Sequence, residues 1–101
     1  MSANLITIMG SLWAFCFNNS IPCQITSIKD HVKIRKTATH SSGRAFDLRV
    51  KNLTEEQIKK VVAYLNKNFN HLGAISKSDN VRRVVVRHIG TFDHLHVQTY
   101  N

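Results

Sequence analysis

Thr54-Glu-Glu-Gln-Ile-Lys-Lys-Val-Val-Ala-Tyr-Leu-Asn-Lys-Asn-Phe69 is the stretch that decides the fold. Thr54 and Gln57 form a capping box. The Thr54 hydroxyl can accept from the Gln57 amide, and the Gln57 side chain can reach back to the Thr54 amide. Glu55 and Glu56 suit the positive end of the helix dipole. Ile58, Val61, Val62, Leu65 and Phe69 form one apolar stripe, while Lys59, Lys60 and Lys67 fall mostly on the other side. The spacing predicts an amphipathic helix from Thr54 to Phe69, with Gly73 shortly past its end.

Strand signals flank this helix. Before it, Cys23 to Ile28 and Ala45 to Val50 read as short strands. After it, valine-rich Val81 to Ile89 reads as one strand, broken by Gly90-Thr91. His94 to Tyr100 alternates and reads as the last. Lys29 to Thr39 is basic and without clear period, which predicts a loop. Asp30 and Asp79 fall in predicted turns.

At the N-terminus, Met1 to Ile28 contains no charged residue, and Leu5 to Phe17 is strongly apolar. No Lys or Arg precedes that run and no clean small-x-small site follows it, which argues against a signal peptide. It spans about thirteen residues where a membrane helix needs roughly 20, so no membrane span is expected. Asn4, Thr7, Ser11, Ala14 and Asn18 make a narrow polar stripe beside Leu5, Ile8, Met9, Leu12, Trp13 and Cys16. That pattern describes a largely buried first helix, with an atypical export signal as the rival reading. Asn18-Asn19-Ser20 ends it, with Pro22 beyond. The order helix, strand, strand, helix, strand, strand gives an α+β fold: a small, mainly antiparallel sheet, a buried N-terminal helix and one amphipathic helix packed on it. At 101 residues the chain is read as a single domain, 1–101.

The net charge of +8 favours anionic partners such as nucleic acid, acidic lipid or anionic cell-wall polymer, without choosing among them. Arg82, Arg83 and Arg87, with Lys29, Lys33, Arg35 and Lys36, are candidates for a basic surface or for solvated faces. The aromatic interleaving of single-strand binders is missing, so no nucleic-acid partner is expected. Cys16 and Cys23 are either a disulfide or two buried thiols, and no C-x-x-C offers a thiolate metal site.

Chemistry concentrates in His40-Ser-Ser-Gly-Arg-Ala-Phe-Asp47 and in Asp93-His94-Leu95-His96. Zinc takes imidazole and carboxylate ligands when thiolates are absent, and a catalytic site offers three protein ligands. His40 and Asp47 can supply two, with Gly43 allowing a tight turn between them. His94 and His96 project from one face of a strand, and either can supply the third. Asp93 is placed to act as general base toward a metal-activated water.

These residues resemble a known family. His40-x-x-Gly43-x-Ala45-x-Asp47 followed by His94-x-His96 resembles the D-Ala-D-Ala metallopeptidases. Those include zinc D-alanyl-D-alanine carboxypeptidases and dipeptidases, and phage endolysins that cut the L-alanyl-D-glutamate bond of peptidoglycan. The resemblance implies one Zn2+ held by His40, Asp47 and His96, with Asp93 as catalytic base. His94 then either hydrogen-bonds the oxyanion or substrate, or faces solvent. The substrate implied is a peptidoglycan peptide, with anionic wall polymer as a further partner. Action would be at the bacterial cell wall or periplasm, by a bacterial protein or a phage protein made in the host cytoplasm.

The chain departs from the family pattern at Ala38, where Ser is usual. It departs again after Thr26-Ser27, where Ile28-Lys29 follow and the family's arginine is not evident. Lys29 and Arg35 are the upstream cations available to replace it. Two other readings stay open: a zinc-containing binding module without catalysis, and a basic nucleic-acid-binding protein.

Overall fold

The computed structural model describes residues 2–28, 44–90 and 92–100. The predicted loop at Lys29 to Thr39 lies outside the described residues, as do His31, Ala38, His40 and Gly43. Within them the chain is α+β. The elements run α1 (Ala3–Asn18), β1 (Ile25–Ile28), β2 (Ala45–Arg49), α2 (Glu55–Phe69), a 3-10 turn (Asn70–Leu72), β3 (Ala74–Ile75), β4 (Arg82–Arg83), β5 (Val85–His88) and β6 (His94–Gln98). Four strands form an antiparallel sheet in the order β1-β2-β6-β5, and β3 pairs with β4 in a small second sheet.

α2 begins as the capping box requires. Gln57 N–H donates to Thr54 Oγ1 at 3.1 Å, and Thr54 N–H donates to Gln57 Oε1 at 2.9 Å. Its buried stripe is Ile58, Val61 and Leu65. These side chains meet Leu5, Ile8, Leu12 and Cys16 of α1, Phe46 and Leu48 of β2, and Leu95 and Val97 of β6 in one hydrophobic cluster. Alternation along a strand therefore sends Phe46, Leu48, Leu95 and Val97 toward the helices. It leaves Asp47, Arg49, His94 and His96 on the opposite face.

The N-terminal helix is buried along one side only. Leu5, Ile8, Leu12 and Cys16 are fully buried, whereas Ile6 (56% exposed), Trp13 (57%) and Phe17 (71%) stand open. The predicted polar stripe is rotated as well. Ser11 faces α2, where its hydroxyl hydrogen-bonds the Tyr64 hydroxyl, and Phe15 stacks on the Tyr64 ring. A helix that touches one sheet and one neighbouring helix covers about half its circumference. The chain here has more apolar positions than that arc can hold, and periodicity could not say which of them it would cover.

Val81 to Ile89 is not one strand. The chain changes pairing partners at fully buried Val84. Val84 N–H donates to Asn70 Oδ1 at 3.2 Å, and Val84 C=O accepts from Gln98 N–H at 2.8 Å. On one side, Arg82 and Arg83 pair with Ile75 and Ala74. On the other, Val85 to His88 pair with β6. The β3 strand carried too short a signal to be read.

Gly73 sits where these pieces converge. A Cβ there would lie closer than 3.0 Å to the backbone of Arg83 and Val84. Gly73→Ala should therefore push β4 off the 3-10 turn, costing about 1–3 kcal/mol as overpacking does. Thermal unfolding followed by circular dichroism should show the midpoint fall by roughly 4–20 °C. An unchanged midpoint would contradict the close approach.

Both cysteines are free thiols, Cys16 buried and Cys23 half-buried. Their hydrogen bond lowers the Cys23 thiol to about 7 and raises that of Cys16. No helix among the described residues is long and apolar enough to cross a membrane.

Candidate metal centre

The site face is fixed by strand register. One row across the sheet pairs Val86, His96, Asp47 and Ser27, from β5 through β6 and β2 to β1. The neighbouring row pairs His88, His94 and Arg49. Directly opposed side chains in antiparallel strands have Cβ atoms about 4.5–5.5 Å apart. Two motif residues 49 positions apart in sequence are thereby forced together, with His96 Nδ1 3.1 Å from Asp47 Oδ1. Both are shielded, with side-chain exposures of 11% and 17%.

His94 stands beside them. Its Nδ1–H donates to the Phe92 carbonyl at 2.9 Å, and its Nε2 lies 3.8 Å from Asp47 Oδ1. Since Nδ1 carries the proton, Nε2 of the neutral ring is an acceptor. It becomes a donor only in the imidazolium. β1 is irregular at this point, with a register shift between Ile25 and Ser27 that re-aims Thr26 into the adjoining cavity. Ser27 Oγ, opposite Asp47, is buried with no hydrogen-bond partner among the described residues.

The donor pair fits zinc. Two ligands at about 2.0–2.1 Å in a tetrahedral arrangement stand roughly 3.3 Å apart. Asp47 and His96 are set 3.1 Å apart without thiolates nearby. Among the described residues, no group of three candidate ligands is assembled. The third ligand implied by the motif, His40, lies outside them, as do Lys29 and Arg35.

Asp93 sits at the cavity rim in a different setting from the one the spacing suggested. Both carboxylate oxygens accept from Arg87, from Nε at 3.1 Å and from Nη2 at 2.7 Å. Arg87 is itself gripped by Glu55 at the start of α2, with Nη1 and Nη2 at 2.8 and 2.9 Å. Hydrogen bonding to Arg87 holds Asp93 and Glu55 below the usual carboxylate range and pushes Arg87 up. Asp93 is thus fully ionised at neutral pH, able to accept a proton but tied to a neighbouring cation.

Two participants escaped the sequence reading. Arg87, read there as part of a basic surface, is the clamp on Asp93. His88 stacks on His96 with ring centroids 5.5 Å apart and meets His94 edge-on at 5.0 Å. Burial, then the nearby His96 and His94, lower its pKa. Neither role carries a local signal. Both depend on the register that sets His88 against His94.

Among the described residues, the other arginines of the expected basic surface are engaged. Arg83 grips Asp79 through two hydrogen bonds. Arg82 donates to the Gly73 carbonyl at 2.7 Å and lies over the Tyr100 ring. Arg44 donates to the Tyr100 carbonyl at 2.7 Å.

A cavity of about 690 Å3 opens beside the centre, lined by Asp47, Arg49, Lys51, Phe92, Asp93 and His94 among others. No protein-family model matches the chain, and neither curated proteins nor solved structures provide a match.

Proposed function

We propose that the chain is a zinc peptidase that hydrolyses peptide bonds in the stem peptides or cross-links of peptidoglycan. The observation that carries this reading is the 3.1 Å approach of Asp47 and His96 on one sheet face. These are two of the three residues to which the resemblance to D-Ala-D-Ala metallopeptidases gives the same zinc ion. Their setting beside a cavity large enough for a peptide segment adds support.

In this reading His40, Asp47 and His96 hold the metal. Bound there, zinc would supply Lewis acidity and would lower the pKa of water to about 7. Asp93, ionised at neutral pH, takes the proton of the attacking water and passes it to the leaving amine. Arg87 orients that carboxylate through its bidentate grip. His94, with Nδ1–H committed to the Phe92 carbonyl, has Nε2 left to contact the substrate.

The engagement of both Asp93 oxygens by Arg87 favours a second reading. In it the domain keeps the metal and grips cell wall or a protein partner without cutting. Digestion of purified peptidoglycan separates the two. The peptidase reading expects newly released amino groups, identified peptide fragments by mass, and loss of both on adding a chelator. Binding to peptidoglycan with no fragment released would establish the module and sink the peptidase.

A further inference from the structure

We propose that Arg49 is the anion-recognising residue of this site, its guanidinium receiving a carboxylate of the peptide substrate next to the bond that is cut. The proposal rests on the peptidase reading for the identity of the ligand, but on separate observations for the role of the residue.

Arg49 is half-buried and lines the cavity beside Asp47, Asp93 and His94. Arg44, Arg82, Arg83 and Arg87 all spend their guanidinium groups on protein acceptors. Arg49 makes no side-chain hydrogen bond or ion pair with any described residue. Of the two carboxylates in the cavity wall, Asp93 is held by Arg87 and Asp47 faces His96. Among the described residues, the positive charge at Arg49 therefore has no protein anion set against it.

A partly desolvated guanidinium is costly without a partner, and its planar fork matches a carboxylate with two parallel hydrogen bonds. Phe92 and Val50 give the cavity an apolar wall, which strengthens such a contact relative to open water. Lys51, exposed at the turn beyond, adds positive potential for an approaching anion.

Position restricts which carboxylate is read. Arg49 is two residues along β2 from Asp47 and pairs with His94. Its Cα is thus about 6.8 Å from that of Asp47 on the same face. That is the length of about two peptide residues, so the anion belongs to a residue flanking the scissile bond. Two carboxylates of a stem peptide meet this description: the terminal one, and the free one of its D-glutamate. The cation that reads this carboxylate then comes from β2.

Three synthetic stem pentapeptides test this: one with all carboxylates free, one amidated at the C-terminus, and one amidated at D-glutamate. Binding is read by calorimetry on zinc-supplemented Asp93→Asn protein, with and without Arg49→Gln. One of the two amidations is expected to weaken binding about 10–100-fold, as loss of a charged hydrogen-bonding pair does. Arg49→Gln should weaken the free peptide equally and bind free and amidated forms alike, while Arg49→Lys recovers part of the loss. Which amidation matters identifies the carboxylate. Equal discrimination in the Arg49→Gln protein, or indifference to both amidations, overturns the proposal. So does loss of zinc on Arg49→Gln, which would make the residue part of the metal site. Arg49-dependent binding in a protein that never cuts peptidoglycan leaves the anion site standing and removes the peptidase reading.

Discussion

His96→Ala should lose zinc, and peptidoglycan cleavage with it. His96 is 8% exposed, fixed opposite Asp47 by the β2–β6 ladder, and its Nδ1 lies 3.1 Å from Asp47 Oδ1. Removing a group that merely supports a metal ligand costs 10–100-fold in affinity, so removing a ligand should cost more than about 100-fold. Zinc measured by atomic emission after dialysis should fall from about one per chain to background. His40→Ala should do the same. Retention of stoichiometric zinc by His96→Ala would mean that the Asp47–His96 contact is a structural hydrogen bond and nothing more.

Asp93→Asn should separate chemistry from metal binding. The amide keeps the size of the carboxylate but only one acceptor, so one of the two hydrogen bonds from Arg87 is lost while Arg87 keeps its grip on Glu55. It cannot take a proton from water. Zinc content should stay at the wild-type level, while turnover falls about 10²–10⁴-fold, the span ascribed to a positioned general base. Cleavage within a few-fold of wild type would remove Asp93 from the mechanism. Loss of zinc instead would mark it as a ligand.

What the sequence disclosed follows the distance over which each feature is decided. The Thr54–Gln57 capping box is a contact across three residues, and the structure has both of its hydrogen bonds. The start of α2 was legible for the same reason, while β2 ends at Arg49, one residue short of the predicted Val50. The facing of α1 was not. Ile6, Trp13 and Phe17 are as apolar as Leu5, Ile8 and Leu12, and only the neighbours of the helix decide which set is covered. Val84 looked like mid-strand because valine favours strands wherever it stands. Its break comes from Asn70 and Gln98, both distant in sequence.

The site divides along the same line. Asp47 and His96 were recognisable because spacing and resemblance singled them out, and the strands do bring them together. Arg87 and His88 became visible only once β5 was set in register against β6. Arg49 was missed for another reason. An arginine in a strand looks the same whether it ends in an ion pair or is left facing a cavity.

The account stands on the metal. The most direct measurement is the zinc content of the wild-type protein, purified, supplemented with zinc and dialysed exhaustively. The account predicts about one tightly held zinc per chain, removable by a chelator and restored on adding the metal back. A protein that is folded by circular dichroism yet retains no zinc would contradict it.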